Sequence, residues 1–158
     1  MTKRKKTPAE ILDDNERTNS QGLFLTAHAY WEAAQVLAPR KGGHRNRPAE
    51  HLFVHAIELY LKSLLGRLYG VEELRTQFSH NIPKLQAEAK KHRLAVSRAD
   101  RKVLAMLTVK YVLHRRYLYT GSVGRQPTIG ELDRACKNLH RNVFALLGKA
   151  GVFEGKRA

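Results

Sequence analysis

Residues His51 to Leu68, HLFVHAIELYLKSLLGRL, constrain the fold of this chain more than any other stretch. Leu52, Phe53, Ile57, Tyr60, Leu61, Leu64, Leu65 and Leu68 fall on most sides of the helix that their spacing predicts. A helix apolar on most sides belongs inside a protein rather than on its surface. One polar line nevertheless runs through it. His51, His55, Glu58 and Lys62 follow one another at spacings of 4, 3 and 4, which stacks them along a single stripe. Polar groups carried into a core need partners. The stripe is therefore a functional site or a buried hydrogen-bonded network, and the residues alone leave both open.

Other segments repeat the helical period. Leu23, Ala27, Tyr30, Trp31, Ala34 and Leu37 predict a first helix from about Ser20 to Ala38, ended by Pro39. Pro48 suits the first turn of the second helix, and Gly70 suits its exit. A short turn from Val71 to Gln77 leads to a third helix, about Ile82 to His92, with Ile82, Leu85 and Ala89 inward. Ser97-Arg98-Ala99-Asp100 resembles a capping box with Asp in place of Glu. It opens a fourth helix running to about Arg116, with Val103, Leu104, Leu107, Tyr111 and Leu113 on its buried side. Thr128 and Glu131 form a full capping box for a fifth helix. Its inner face is Leu132, Cys136, Leu139, Val143, Phe144 and Leu147, and Gly148 or Gly151 closes it. No segment alternates as a strand does. The expected fold is an all-α antiparallel bundle of about five helices over residues 19–152. A disordered basic tail at 1–18 and a flexible tail at 153–158 are expected to flank it.

Composition narrows the class. A chain of 158 residues is most simply one domain, and 42% hydrophobic content is ordinary globular usage. One cysteine excludes an internal disulfide framework, and no apolar run reaches the roughly 18 residues of a membrane span. The start is charged without a following apolar region, so the expectation is a cytoplasmic protein with no membrane association. The net charge of +15 is uneven. Residues 1–83 carry +3 and residues 84–158 carry +12, the footprint of a polyanion partner or of a solvated basic surface.

Candidate chemistry is sparse. His51, His55 and Glu58 have the spacing of metal ligands, but zinc-protease helices place Glu directly after the first His, and Leu52 stands there. No metal and no cofactor is expected. A hydrogen-bonded network is the reading of the stripe, with Arg115, Arg116, His80 or a tyrosine hydroxyl as second partner for Glu58. Tyr117 is expected to pack inward beside it. Arg40, Lys41, Arg45 and Arg47 form a basic loop, and Arg115 and Arg116 end a helix beside tyrosines, so these six are the candidate nucleic-acid contacts. For the second cluster a C-terminal dipole cap is the competing role. Cys136 lies on an apolar face with no neighbouring base and reads as core. Walker, GxGxxG, GxSxG and CxxC patterns do not occur.

Three segments in order carry a resemblance. They are His55-Ala56-Ile57-Glu58-Leu59-Tyr60-Leu61-Lys62, then Ser79-His80-Asn81-Ile82-Pro83-Lys84-Leu85, then Arg116-Tyr117-Leu118-Tyr119-Thr120-Gly121. Together they resemble the HEPN superfamily of helical domains over roughly residues 25–147. The resemblance implies a bundle that commonly forms homodimers, tied to nucleotides, RNA processing or defence systems. Many members are metal-independent ribonucleases with an R-x(4-6)-H motif, in which Arg contacts the scissile phosphate and His acts as acid or base. Arg134 and His140 have that spacing, although Ala135 follows the Arg where a polar residue is usual; Arg45 to His51 matches less well because it straddles a loop. The expectation is a HEPN-like protein binding RNA or another polyanionic or nucleotide ligand, without a clear catalytic motif. The alternatives are a metal-independent endoribonuclease or toxin using Arg134 and His140, and an interaction module paired with a nucleotidyltransferase-type partner protein.

Overall fold

The computed structural model describes residues 7–10, 18–38, 46–116 and 124–154, with the backbone alone at 114–116. Every regular element in them is helical. Beyond a single helical turn at 8–10, these are in chain order α1 (Ser20–Leu37), α2 (Arg47–Leu65), α3 (Val71–Glu73), a π turn (Leu74–Phe78), α4 (Ile82–Lys91), α5 (Arg98–Met106), α6 (Val109–Arg116) and α7 (Ile129–Lys149).

The start signals act as the residue types require. Asn19, Asn46, Asn81, Ser97 and Thr128 each accept a backbone N–H of the first turn, which satisfies a donor that the helix itself leaves open. At Thr128 the capping box is complete, since Glu131 accepts the Thr128 N–H in return at 2.9 Å.

Helix α2 is the centre of the bundle. Phe53, Ile57, Tyr60, Leu61 and Leu65 are all buried to within a few per cent, and α1, α4, α6 and α7 pack around them. Helix α1 runs antiparallel to α2: its N-terminal Ser20 and Leu23 meet Gly66, while Asn46 donates to the Leu37 carbonyl at the other end. A Cβ on Gly66 would sit 3.2 Å from Ser20 Oγ and 3.2 Å from the Lys62 carbonyl, so a side chain there would require its neighbours to shift by a few tenths of an ångström. Helix α7 runs alongside α2 in the same direction, with Cys136 Sγ on the Phe53 carbonyl at 3.5 Å and His140 beside Tyr60.

Several sequence expectations need correction. Helix α2 ends at Leu65 rather than near Gly70, and the chain turns through Gly66 to Leu68, leaving Leu68 exposed. The fourth helix is two helices. Leu107 is buried with ψ at 53°, and Thr108 Oγ1 accepts the Tyr111 N–H to start α6 afresh. That break resets the helical phase, so Val112 faces the core and Leu113 is exposed. Phe24, not Leu37, is the large inward group of α1. Finally Phe144 is 51% exposed instead of lining the inner face of α7. The packed unit also reaches past residue 152, because the Phe153 ring lies 5.4 Å from that of Phe24 and 4.9 Å from that of Phe144.

Among the described residues no helix is long and apolar enough to cross a membrane.

Candidate polyanion-binding face and buried polar networks

The stripe on α2 resolves into two parts. Glu58 is only 2% exposed, and Lys62 Nζ donates to its Oε1 at 2.7 Å. His80 Nδ1 lies 3.1 Å from both carboxylate oxygens. Burial works against ionisation of Glu58, but the Lys62 charge and hydrogen bond, with His80, outweigh it and hold the carboxyl below its ordinary range. His80 is among the second partners expected for Glu58, and it meets the carboxylate. The backbone delivers it: the π turn closes with Ser79 at φ 47°, a left-handed position that serine adopts at some cost. Nearer the N-terminus of α2, the rings of His51 and His55 stack at 6.2 Å, and Tyr30 meets His55 edge-on at 4.5 Å. The described residues contain no group of three or more His, Cys, Asp or Glu placed to share a metal ion.

A second buried carboxylate lies between α5 and α7. Asp100 is 1% exposed. Where a capping-box Glu would reach back to the backbone, the shorter Asp100 instead accepts from the Ser97 hydroxyl (2.7 Å), Asn138 Nδ2 (2.7 Å) and Arg134 Nε (3.0 Å). Burial raises its pKa, and these three partners more than reverse that, so it stays ionised below the usual aspartate range. This latch ties α5 to α7.

Above the latch opens a cleft of about 560 Å³, lined by Arg98, Lys102, Met106, Arg125, Glu131 and Arg134 among others. Arg98, Lys102 and Met106 recur every fourth residue on α5 and so share one stripe. Arg125 pairs with Glu131 at 2.8 Å, and Glu131 also fills the N-terminus of α7. The helix terminus is thus already occupied by the chain's own carboxylate, and an anion entering the cleft meets side-chain cations. Among the described residues no acid pairs with Arg98 or Lys102. Arg134 leaves 44% of its side chain in solvent even while bonded to Asp100. Lys137 and Arg141 continue the exposed basic line along α7, at i+3 and i+7 from Arg134.

Arg134 and His140 do not meet within one chain. Six residues on a helix place side chains roughly 120° apart around the axis. Arg134 accordingly faces α5, whereas His140 faces α1 and α2. Tyr60 OH lies 3.1 Å from His140 Nδ1, and the rings of His28, Phe24 and Trp31 surround the imidazole at 4.8, 5.0 and 5.5 Å. Burial first, and the neighbouring His28 second, push the His140 pKa below its ordinary value. Trp31 Nε1 closes this wall by donating to Asp133 at 2.7 Å.

Of the six cations singled out from sequence, Arg40, Lys41 and Arg45 lie outside the described residues, as does Tyr117. Arg47 opens α2, half-buried, and Arg115 and Arg116 end α6 with their side chains outside the description. The cations that line the cleft and its ridge, Arg98, Lys102, Arg125, Lys137 and Arg141, are none of those six. Their signal was the i,i+4 pair on α5 and the i, i+3, i+7 series on α7, inside the half that carries +12.

Against known proteins, the chain matches no protein-family model, no curated protein and no solved structure.

Proposed function

We propose that this chain is a HEPN-like bundle that binds a polyphosphate chain, RNA in the first instance, across the α5–α7 face. The observation that carries the reading is the cleft in which Arg98 and Lys102 meet no acid among the described residues, while Arg134 is offered to solvent over a buried counter-ion. Cations held in a concave site and continued along a ridge by Lys137 and Arg141 suit a linear polyanion better than a single small anion. The test is binding of a fluorescein-labelled RNA oligonucleotide at about 50 mM and 200 mM salt, with Arg98→Gln and Lys102→Gln beside the natural chain. Affinity is expected to fall steeply with salt, and each substitution to lower the log–log slope by about 1. No binding at low salt removes the reading.

The ribonuclease alternative requires Arg134 of one chain and His140 of another to come together. Its test is EDTA-resistant cleavage of RNA that is lost in His140→Ala. For the homodimer that the HEPN resemblance implies, the exposed Leu25, Val36 and Leu37 of α1 are the apolar surface to probe by sedimentation.

A further inference from the structure

Phe144 stands at the edge of the inner face of α7, about 100° round the helix from Val143. Leu132, Cys136, Leu139, Val143 and Leu147 on that face are buried, whereas Phe144 is half in solvent. It is not loose. Phe153 stacks on it at 4.9 Å with planes 24° apart, Phe24 lies at 5.8 Å, and the His140 ring runs parallel to it at 6.3 Å. An exposed ring braced on several sides loses little conformational freedom when something stacks on it. Its neighbours along the exposed ridge of α7 are cations: Arg141 one turn earlier and Lys137 two turns earlier, the latter about 10.5 Å away along the axis at 1.5 Å per residue. Arg134 and the α5 cleft lie on the far flank of the same ridge.

A single-stranded nucleic acid presents this pattern, alternating phosphate charge with an aromatic plane free to leave the strand's own stack. In a duplex the base planes are stacked on their neighbours and paired, and only phosphates and groove edges reach a protein surface. We propose that Phe144 is a base-stacking platform, and that it makes this face selective for single-stranded over double-stranded nucleic acid. This rests on the polyanion reading above and adds to it the state of the ligand. Lys137 and Arg141 hold the backbone while one base lies on the ring. A second copy of the chain would be a poorer occupant, because it would bring the same positive ridge against itself.

The experiment titrates the full chain into a labelled 12-nucleotide oligouridine and, separately, a 12-base-pair RNA duplex at low salt, for the natural protein, Phe144→Ala, Phe144→Leu and Phe144→Trp. Phe144→Ala is expected to weaken single-strand binding roughly 5- to 150-fold, with duplex affinity and salt slope unchanged. Phe144→Trp is expected to restore or tighten single-strand binding. Phe144→Leu keeps an apolar side chain without the π face, so it gives the answer should the alanine variant fail to fold. Natural affinity for the single strand in Phe144→Leu, or equal losses on single strand and duplex, overturns the stacking role. If the natural chain binds neither RNA, the polyanion reading falls and this one with it. If binding responds to Lys102→Gln but not to any change at Phe144, only the stacking role falls. A dimer seen in sedimentation that Phe144→Ala dissociates, with RNA affinity untouched, assigns the ring to a second copy and overturns the proposal.

Discussion

Glu58 and Asp100 are both carboxylates buried to within 2%, both ionised against the cost of burial, and both tie one helix to another segment. They differ in where their cations stand. Lys62, the ion-pair partner of Glu58, keeps only 14% of its side chain in solvent, and His80 closes the other side, so the network is spent on holding α2 to the entry of α4. Arg134, the partner of Asp100, remains 44% exposed and opens onto a cleft with Arg98, Lys102 and Arg125. The same chemistry thus makes a closed structural knot at one place and an open latch at the other. A cation whose counter-ion lies beneath it is oriented without being used up, and that is what a binding face needs.

The largest effect should come from breaking the closed knot. Lys62→Met leaves a buried carboxylate with His80 alone and is expected to cost about 3 kcal/mol in urea unfolding, with no change in RNA affinity among the molecules that remain folded. If it costs less than Arg134→Met, the contrast between the two networks is mistaken. Asp100→Ala should cost less, about 1–2 kcal/mol, because the freed Arg134 is solvated readily and the Ser97 cap persists. The same substitution should weaken RNA binding, since it frees Arg134 from the position its buried counter-ion gives it; tighter binding would show that Asp100 restrains Arg134 rather than positioning it.

Acid should then act on both networks in the same direction. Each carboxyl titrates lower in the fold than its ordinary value, near 4.5 for Glu58 and 3.8 for Asp100. Their contribution is therefore complete above those values and is lost as pH falls through the depressed folded ones. Unfolding monitored from pH 7 to pH 3 is expected to show this loss, with Glu58→Gln flattening its upper part and Asp100→Asn its lower part; parallel curves for all three proteins would refute it. The smallest effect belongs to His140. Its lowered pKa favours the neutral ring in the fold, so its contribution is present above about 6.5 and declines as pH falls below that. An imidazole NMR titration should place its midpoint below 6.5, and a midpoint above it would mean that Tyr60 and the ring wall hold the cation.

The sequence determined the helical class, most helix starts and the central place of α2. Capping residues act within one turn and apolar period within one helix, so both are local. It also determined that Glu58 needed a partner and that the positive charge lay in the second half, since burial costs and charge counts follow from residue type. Tertiary structure alone decided the rest. The break at Leu107 is marked in sequence only by Thr108, whose hydroxyl caps α6, and no Gly or Pro stands there to announce it. The pairing of His80 with Glu58 depends on a π turn and one left-handed serine. Arg134 and His140 look like a pair in sequence, but each faces what its own side of α7 packs against. Arg98 and Arg125 are 27 positions apart and become one cleft only when α5 lies beside the start of α7. Phe144 lies at the edge of the inner stripe by spacing, and only the tertiary structure sets Phe24 and Phe153 beside its ring. Spacing along one helix sets the face on which a side chain points, whereas the neighbour that face meets is fixed by contacts far apart in the chain.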